Sequence, residues 1–350
     1  MASTSKGGVK SISYAKYGYM FIAPFFIFYF IFSLMPLIQV FVMAFTKTAE
    51  TGKSILVTEQ VFNGLKNFDI VLFGGDGNFG HMAIHNKFVE AFKNTVVLWI
   101  GNFIPQILLS LLLAVWFTDS KIKIRGKGVF KVIVYMPNII TAASVAALFG
   151  AMFSSADTCA ANQVLGKIGI GPIDFLSVES SFFGIGNAVK LVWFMQCWMW
   201  FGNTTLMLMS GIMGISESLF EAADIDGANS RQVFFKVTLP LLKPMMLYTL
   251  ITSLIGGLQM YDVPTILGAV GGEPVTVLRT VTFLISYHYN KFNYGYSGAI
   301  SVTLFIITAI LGSVVFFMYR DKDEIRKKKQ LKKLKAQAKA RAKGLGDFGI

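Results

Sequence analysis

Six stretches of this sequence carry no charged side chain: Tyr17–Thr46, Asn94–Thr118, Val132–Ala156, Leu191–Ser216, Pro244–Tyr261 and Phe292–Tyr319. A helix that crosses a bilayer needs about 20 predominantly apolar residues, within a range of roughly 17–25. Five of the runs exceed that need. Pro244–Tyr261 sits at its lower limit and contains Gly256 and Gly257. Backbone groups in hydrocarbon must bond within their own segment, which leaves helices and closed barrels. The runs are too long and too continuously apolar for barrel strands. The sequence therefore predicts an all-α integral membrane protein with six transmembrane helices at about 17–46, 94–118, 132–156, 191–216, 244–261 and 298–319.

Composition excludes the main soluble alternatives. Charged residues are 15% of the 350, against 54% hydrophobic. Soluble domains usually carry about 25% charged residues, and so little charge would leave large apolar patches in water. The net charge of +13 does not point to nucleic acid, because twelve of the 32 Lys and Arg lie between Arg320 and Lys343. That basic tail, residues 320–350, suits an anionic lipid surface, each basic residue near it contributing about 1 kcal/mol. Two cysteines, Cys159 and Cys197, are too few for a disulfide framework. The first run is about twice as long as a signal-peptide core and holds Pro24 and Pro36, so it is expected to stay as a span.

Lys and Arg counts set the expected orientation. With the 1–16 segment in the cytoplasm, the inside segments hold 23 basic residues and the outside segments nine. Positive residues favour the inside, so both termini are expected there. The transmembrane domain then covers 17–319, with segment 217–243 as an inside loop. The outside loop Lys47–Lys93 has five basic and five acidic residues and is Gly-rich around Gly74–Gly80.

The 217–243 loop is the most informative segment. Ser218 and Glu221 have the spacing of a capping box, so a short helix is expected to begin there. Leu219, Phe220, Ala223 and Ala222 form its apolar side. Gly227 can take a positive φ and end it. Asn229 or Ser230 can cap a second helix through Phe234 and Phe235. Pro240, which has no amide hydrogen, is expected to break the chain before the fifth span. The outcome is a helix–turn–helix elbow. Ala222 and Ala223 permit close approach of a partner, Glu221 offers a carboxylate to Arg or Lys, and the two phenylalanines can anchor the elbow on the membrane domain. An interfacial helix resting on lipid headgroups is the other reading of the same residues.

Glu221-Ala222-Ala223, three residues, Gly227, nine residues, Val237-x-Leu239-Pro240 resembles the signature of permease subunits of binding-protein-dependent ABC importers, with Val237 where Ile is usual. Lys127-Gly128-Val129-Phe130 leading to Tyr135-Met136-Pro137 is similar to the sugar-type permeases. So is Gly271-Gly272-Glu273-Pro274 followed by Tyr294-Gly295-Tyr296-Ser297-Gly298-Ala299. The resemblance runs from about Asn94 to Tyr319 and is nearest the maltose-type, first-permease subfamily. The large extra outside domain and additional N-terminal helices of the maltose permease are missing. The resemblance implies an ABC importer type I permease fold. It also implies that Glu221, Ala222, Ala223, Gly227, Leu239 and Pro240 dock on a separate ATPase subunit. The implied partners are a second permease, two ATP-binding cassette subunits and an extracytoplasmic solute-binding protein, in a bacterial plasma or inner membrane.

What the chain lacks fits this. No Gly-x-x-x-x-Gly-Lys-Ser/Thr phosphate loop occurs, so ATP is expected on a partner. No cofactor and no enzyme active site are expected. Polar side chains inside spans usually face the bundle interior or a wet cavity. Gln196, Trp200 and Asn203 fall at i, i+4 and i+7, on one helical face that Trp193 continues. Gln259, with Tyr261 and Asp262 beyond it, closes the fifth run. Amides exchange hydrogen bonds with hydroxyls and indoles pack on sugar C–H faces, so these residues are the candidate substrate pathway. They can equally bond between helices. None of the six runs contains Lys or Arg, which favours a neutral sugar or oligosaccharide over an anion such as a glycerol phosphate. A stand-alone secondary transporter or channel is the alternative; no inverted repeat or intramembrane ionisable group supports it. His81 and His85, spaced i, i+4, have no evident third partner, and no metal site is expected. Asp157 and Cys159 are read as loop residues without partners.

Overall fold

The computed structural model describes residues 15–49, 59–119, 125–154, 159–178, 180–182, 185–270, 276–319, 330–331 and 333–335. Asp157, Gly271–Pro274 and most of the basic tail lie outside the described residues. Among the described residues, four helices are long and apolar enough to cross a membrane, and six if each of two bent pairs is one span. Among the described residues the regular structure is helical apart from two short antiparallel pairs, Thr46–Ala49 with Glu59–Phe62 and Ser180–Phe182 with Ile185–Gly186.

The chain forms two compact units, one of residues 1–90 and 281–305 and the other of 91–280 and 306–350. In the first unit, the helical run Lys16–Ala44 turns most of its apolar side chains outward; Phe21, Phe25, Phe28 and Phe32 are 63–79% exposed. Such a surface suits hydrocarbon rather than water. Its end is fastened by close backbone approach. A Cβ on Gly298 would meet the backbone of Ala44, and Asn67 Nδ2 donates to Ala44 O at 2.9 Å and Thr46 O at 2.8 Å. His288 is buried in this unit, at the last turn of the Val281–Asn290 helix. Burial, then the nearby charges of Lys87 and Lys291, lower its pKa to about 4.

In the second unit, Leu98, Val145, Val192, Met195, Val263 and Leu267 are part of one apolar core, and Ala114, Leu208, Met209 and Leu242 of another. Glycines set the closest approaches. Gly202, on the Asn187–Met213 helix, lies against Val134 O and Tyr135 Cα of the Lys127–Tyr135 helix, so a Cβ there would collide with backbone. Gly150 lies against the side chains of Val270 and Leu267.

The third apolar run is not one straight helix. Lys127–Ile139 and Ala142–Met152 meet at a bend of 89°. Pro137 opens a 3-10 turn at Met136–Ile139, Ile140 is extended, and Thr141 Oγ1 accepts from Ser144 N at 3.3 Å to start a new helix. Proline removes a helical donor, and the threonine cap makes the restart favourable.

Pro240 does not break the chain either. Phe234–Thr238 forms a π turn, in which Leu239 N donates to Phe234 O, and Pro240 follows inside a continuing helical path. The same order occurs at Phe30–Leu34, where Met35 N donates to Phe30 O and Pro36 follows. A proline ring clashes with the carbonyl four residues back in a regular α-helix. The wider π turn moves that carbonyl away, so the helical path passes through each proline; after Pro240 it is interrupted only at Leu242, and Lys243–Leu258 begins the fifth span.

Candidate translocation site and coupling elbow

The second unit holds an open cavity of about 290 Å³. Gln196, Trp200, Asn203 and Gln259 all line it, as do Tyr261 and Asp262. Three come from one face of the Asn187–Met213 helix, as their spacing requires. Gln196 is buried at 7% exposure, whereas Trp200 is 46% exposed and Gln259 is exposed.

Sequence reasoning missed two further walls. Trp99, Asn102 and Gln106 reach the cavity from the Phe79–Thr118 helix, and Thr249, Thr252 and Ser253 from the Lys243–Leu258 helix. The i, i+3, i+7 spacing of Trp99, Asn102 and Gln106 within a charge-free run was the available signal. Gln106 Nε2 donates to Thr204 Oγ1 at 2.8 Å, and Trp99 Nε1 to Ser253 Oγ at 3.1 Å. Asn102 Nδ2 donates within its own helix, to Leu98 O at 2.8 Å. The walls thus combine helix-bridging hydrogen bonds with indoles, amides and hydroxyls. Trp193 is not part of the cavity lining. Its indole packs where Gly101 leaves room and its Nε1 donates to Val97 O at 3.1 Å, which makes it a helix-packing residue.

The elbow follows the Asn187–Met213 helix directly. Its first helix is Glu217–Ile225 with Ser216 at the N-cap, two residues earlier than the expected cap at Ser218. The Ser218–Glu221 capping box does not form, because Ser218 lies inside the helix and Ser216 takes the N-cap position; the two hydroxyls bond each other at 2.8 Å. Gly227 has φ +70°, Gly227 N donates to Asp224 O and Ala228 N to Ala223 O. That is a Schellman ending with glycine in the left-handed position. Asn229 then caps Ser230–Val233, with Gln232 N donating to Asn229 Oδ1 and Asn229 N to Gln232 Oε1, both 2.9 Å. Glu221 and Ala222 are exposed, but Ala223 is buried at 9%, so only Ala222 offers a small side chain to a partner. Leu239 is half-buried and Pro240 exposed. Phe234 and Phe235 pack edge-to-face at 4.9 Å between ring centroids, yet Phe235 stays 54% exposed and is not a buried anchor.

The histidine pair is separated by its partners. His81 Nδ1 faces Asp76 Oδ1 at 2.6 Å, and His85 Nδ1 faces Val71 O at 3.1 Å. Among the described residues no group of three or more His, Cys, Asp or Glu is arranged to hold a metal. Cys159 is not an idle loop residue: its Sγ accepts from Asn162 N at 3.5 Å and caps the Ala160–Lys167 helix.

Residues 95–321 match the family of binding-protein-dependent transport system inner membrane components. The chain belongs to that family. The permease is 28% identical to the arabinooligosaccharides transport system permease protein of Bacillus subtilis, over 89% of this chain and 92% of that one. It is 27% identical to the lactose transport system permease protein of Rhizobium radiobacter, over 92% of this chain and 100% of the other. It is 30% identical to the multiple sugar-binding transport system permease protein of Streptococcus mutans, over 70% and 79%. Its fold matches a chain from a bacterial ABC transporter involved in import of the acidic polysaccharide alginate, with a TM-score of 0.68 at 22% identity, covering 87% of the permease and 95% of that chain. The permease is thus a multi-pass membrane subunit of an ABC importer, with the fold its sequence implied.

Proposed function

We propose that this permease forms half of the translocation pathway for a neutral sugar or oligosaccharide and takes its energy from a separate ATPase through the 217–240 elbow. One observation carries the reading. The elbow joins the two helices, Asn187–Met213 and Lys243–Leu258, that supply much of the cavity wall. A force applied at Glu221 and Ala222 is therefore delivered to the helices bearing Gln196, Trp200 and Asn203 on one side and Thr249, Thr252 and Ser253 on the other.

The sugar assignment is supported by the relatives' named substrates and by a cavity lined with indoles, amides and hydroxyls without Lys or Arg. The subunit itself is non-catalytic and binds no cofactor; two ATP-binding cassette subunits hold the ATP. A second permease supplies the other half of the path, and an extracytoplasmic solute-binding protein delivers the sugar. Both termini face the cytoplasm of a bacterial plasma or inner membrane, and the basic tail meets lipid rather than nucleic acid.

Glu221→Lys tests the coupling role. The exposed position should tolerate lysine structurally, so the variant should reach the membrane at normal levels and lose ATP-driven sugar uptake. Normal uptake by Glu221→Lys would remove the elbow from the coupling path.

A further inference from the structure

We propose that Asp262 makes this cavity a charge filter, admitting neutral and cationic sugars and holding back anionic ones. The inference rests on the pathway reading above and adds a specificity-determining residue to it. Among the described residues, Asp262 is the only Asp, Glu, Lys, Arg or His that lines the cavity. Every other polar group there is an amide, a hydroxyl or an indole. Those groups recognise hydroxyls and ring faces and are indifferent to a solute's net charge. Charge discrimination in this half of the path therefore falls to one side chain.

Two features leave that charge active. Asp262 is exposed rather than covered. Among the described residues, its carboxylate also has neither an ion pair nor a hydrogen bond to offset it. An unpaired charge at a cavity wall acts within a Debye length of about 8 Å at physiological ionic strength, and low-dielectric walls focus its field on what enters. A uronate would meet repulsion, an amino sugar attraction, and a neutral sugar neither. The competing role is local: an acidic residue in the first turn of the Asp262–Ala269 helix complements its dipole. That role predicts nothing about solutes in the cavity.

The test uses charged thiol reagents in place of charged sugars, which bypasses selection by the binding protein. Asn203→Cys, in a Cys197→Ser background, places one reactive thiol on the cavity wall of the assembled importer in native membrane vesicles. Its modification rate is measured with the cation 2-(trimethylammonium)ethyl methanethiosulfonate and with the anion 2-sulfonatoethyl methanethiosulfonate. With Asp262 present, the cation-to-anion rate ratio should exceed that of the Asp262→Asn version by roughly three- to tenfold. It should also fall when ionic strength is raised. Labelling by both reagents with the same ratio in both versions would overturn the filter and leave the pathway standing. A ratio insensitive to salt, measured with Asp262 intact, would overturn it without relying on any change at Asp262. Failure of both reagents to label Asn203→Cys, in every nucleotide state, would overturn the pathway itself, and the filter with it.

Discussion

The indole of Trp99 occupies the space where a side chain on Gly257 would begin, and its Nε1 donates to Ser253 Oγ one turn away at 3.1 Å. This contact fixes how closely two cavity walls approach. Glycine at 257 is therefore a packing requirement, while its neighbour Gly256 faces open space. Gly257→Ala should push Trp99 aside and lower uptake, with a stability loss of about 1–3 kcal/mol from overpacking. Gly256→Ala should leave Trp99 in place and add about 0.5–1 kcal/mol, as alanine for glycine does inside a helix. Uptake and thermal unfolding of the two variants, measured side by side, check the difference.

A backbone contact should be less forgiving than a side-chain contact. A Cβ at Gly202 would strike Val134 O, which cannot swing away as an indole can. Gly202→Ala should therefore destabilise the permease more than Gly257→Ala does. Gly128 gives the opposite sign. It sits inside the Lys127–Tyr135 helix, and a methyl group added there would have nothing within 4 Å. Gly128→Ala should add about 0.5–1 kcal/mol by removing backbone freedom from the unfolded chain. Thermal unfolding in detergent reads both.

The elbow turn has its own requirement. Gly227 at φ +70° ends the first elbow helix in the left-handed region. Gly227→Ala should cost about 1–2 kcal/mol there and, on the proposed coupling role of the elbow, reduce ATP-driven uptake. Gly227→Asn should be milder, since asparagine tolerates that region. Equal uptake by the alanine, asparagine and wild-type forms would show that elbow geometry does not limit coupling.

His288 gives the permease a pH dependence with a defined sign. Its folded pKa is about 4, below the ordinary 6.5, first because of burial and then because of Lys87 and Lys291. Between these values the unfolded chain takes up a proton that the folded chain refuses. The stabilising difference is complete above pH 6.5 and is lost as pH falls toward 4. His288→Gln cannot titrate, so its unfolding temperature should drop less than wild type over that window. Parallel pH curves for the two proteins would contradict the assignment.

How much of this was legible in the sequence depended on what each residue type reports. Charge-free runs report burial in hydrocarbon, so the membrane class was readable. They say nothing about direction, so the 89° bend after Pro137 was not. Spacing placed Gln196, Trp200 and Asn203 on one face, and that face lines the cavity. The same spacing also included Trp193, whose indole is taken by the gap at Gly101 on another helix. No pattern within one helix encodes such a contact. Gly227 and Asn229 were readable because each acts through its own backbone. Pro240 misled because the π turn before it, which makes room for the ring, has no sequence signature of its own.

The most direct test of the central claim is composition. The permease would be purified from its native membranes in mild detergent, and every stoichiometric companion identified by mass. A second multi-span permease and two copies of an ATP-binding subunit are the expected result. Glu221→Lys should retain the permease partner and lose the ATP-binding subunits. A homo-oligomer without an ATPase, under conditions that keep a known importer intact, would contradict the proposed division of labour.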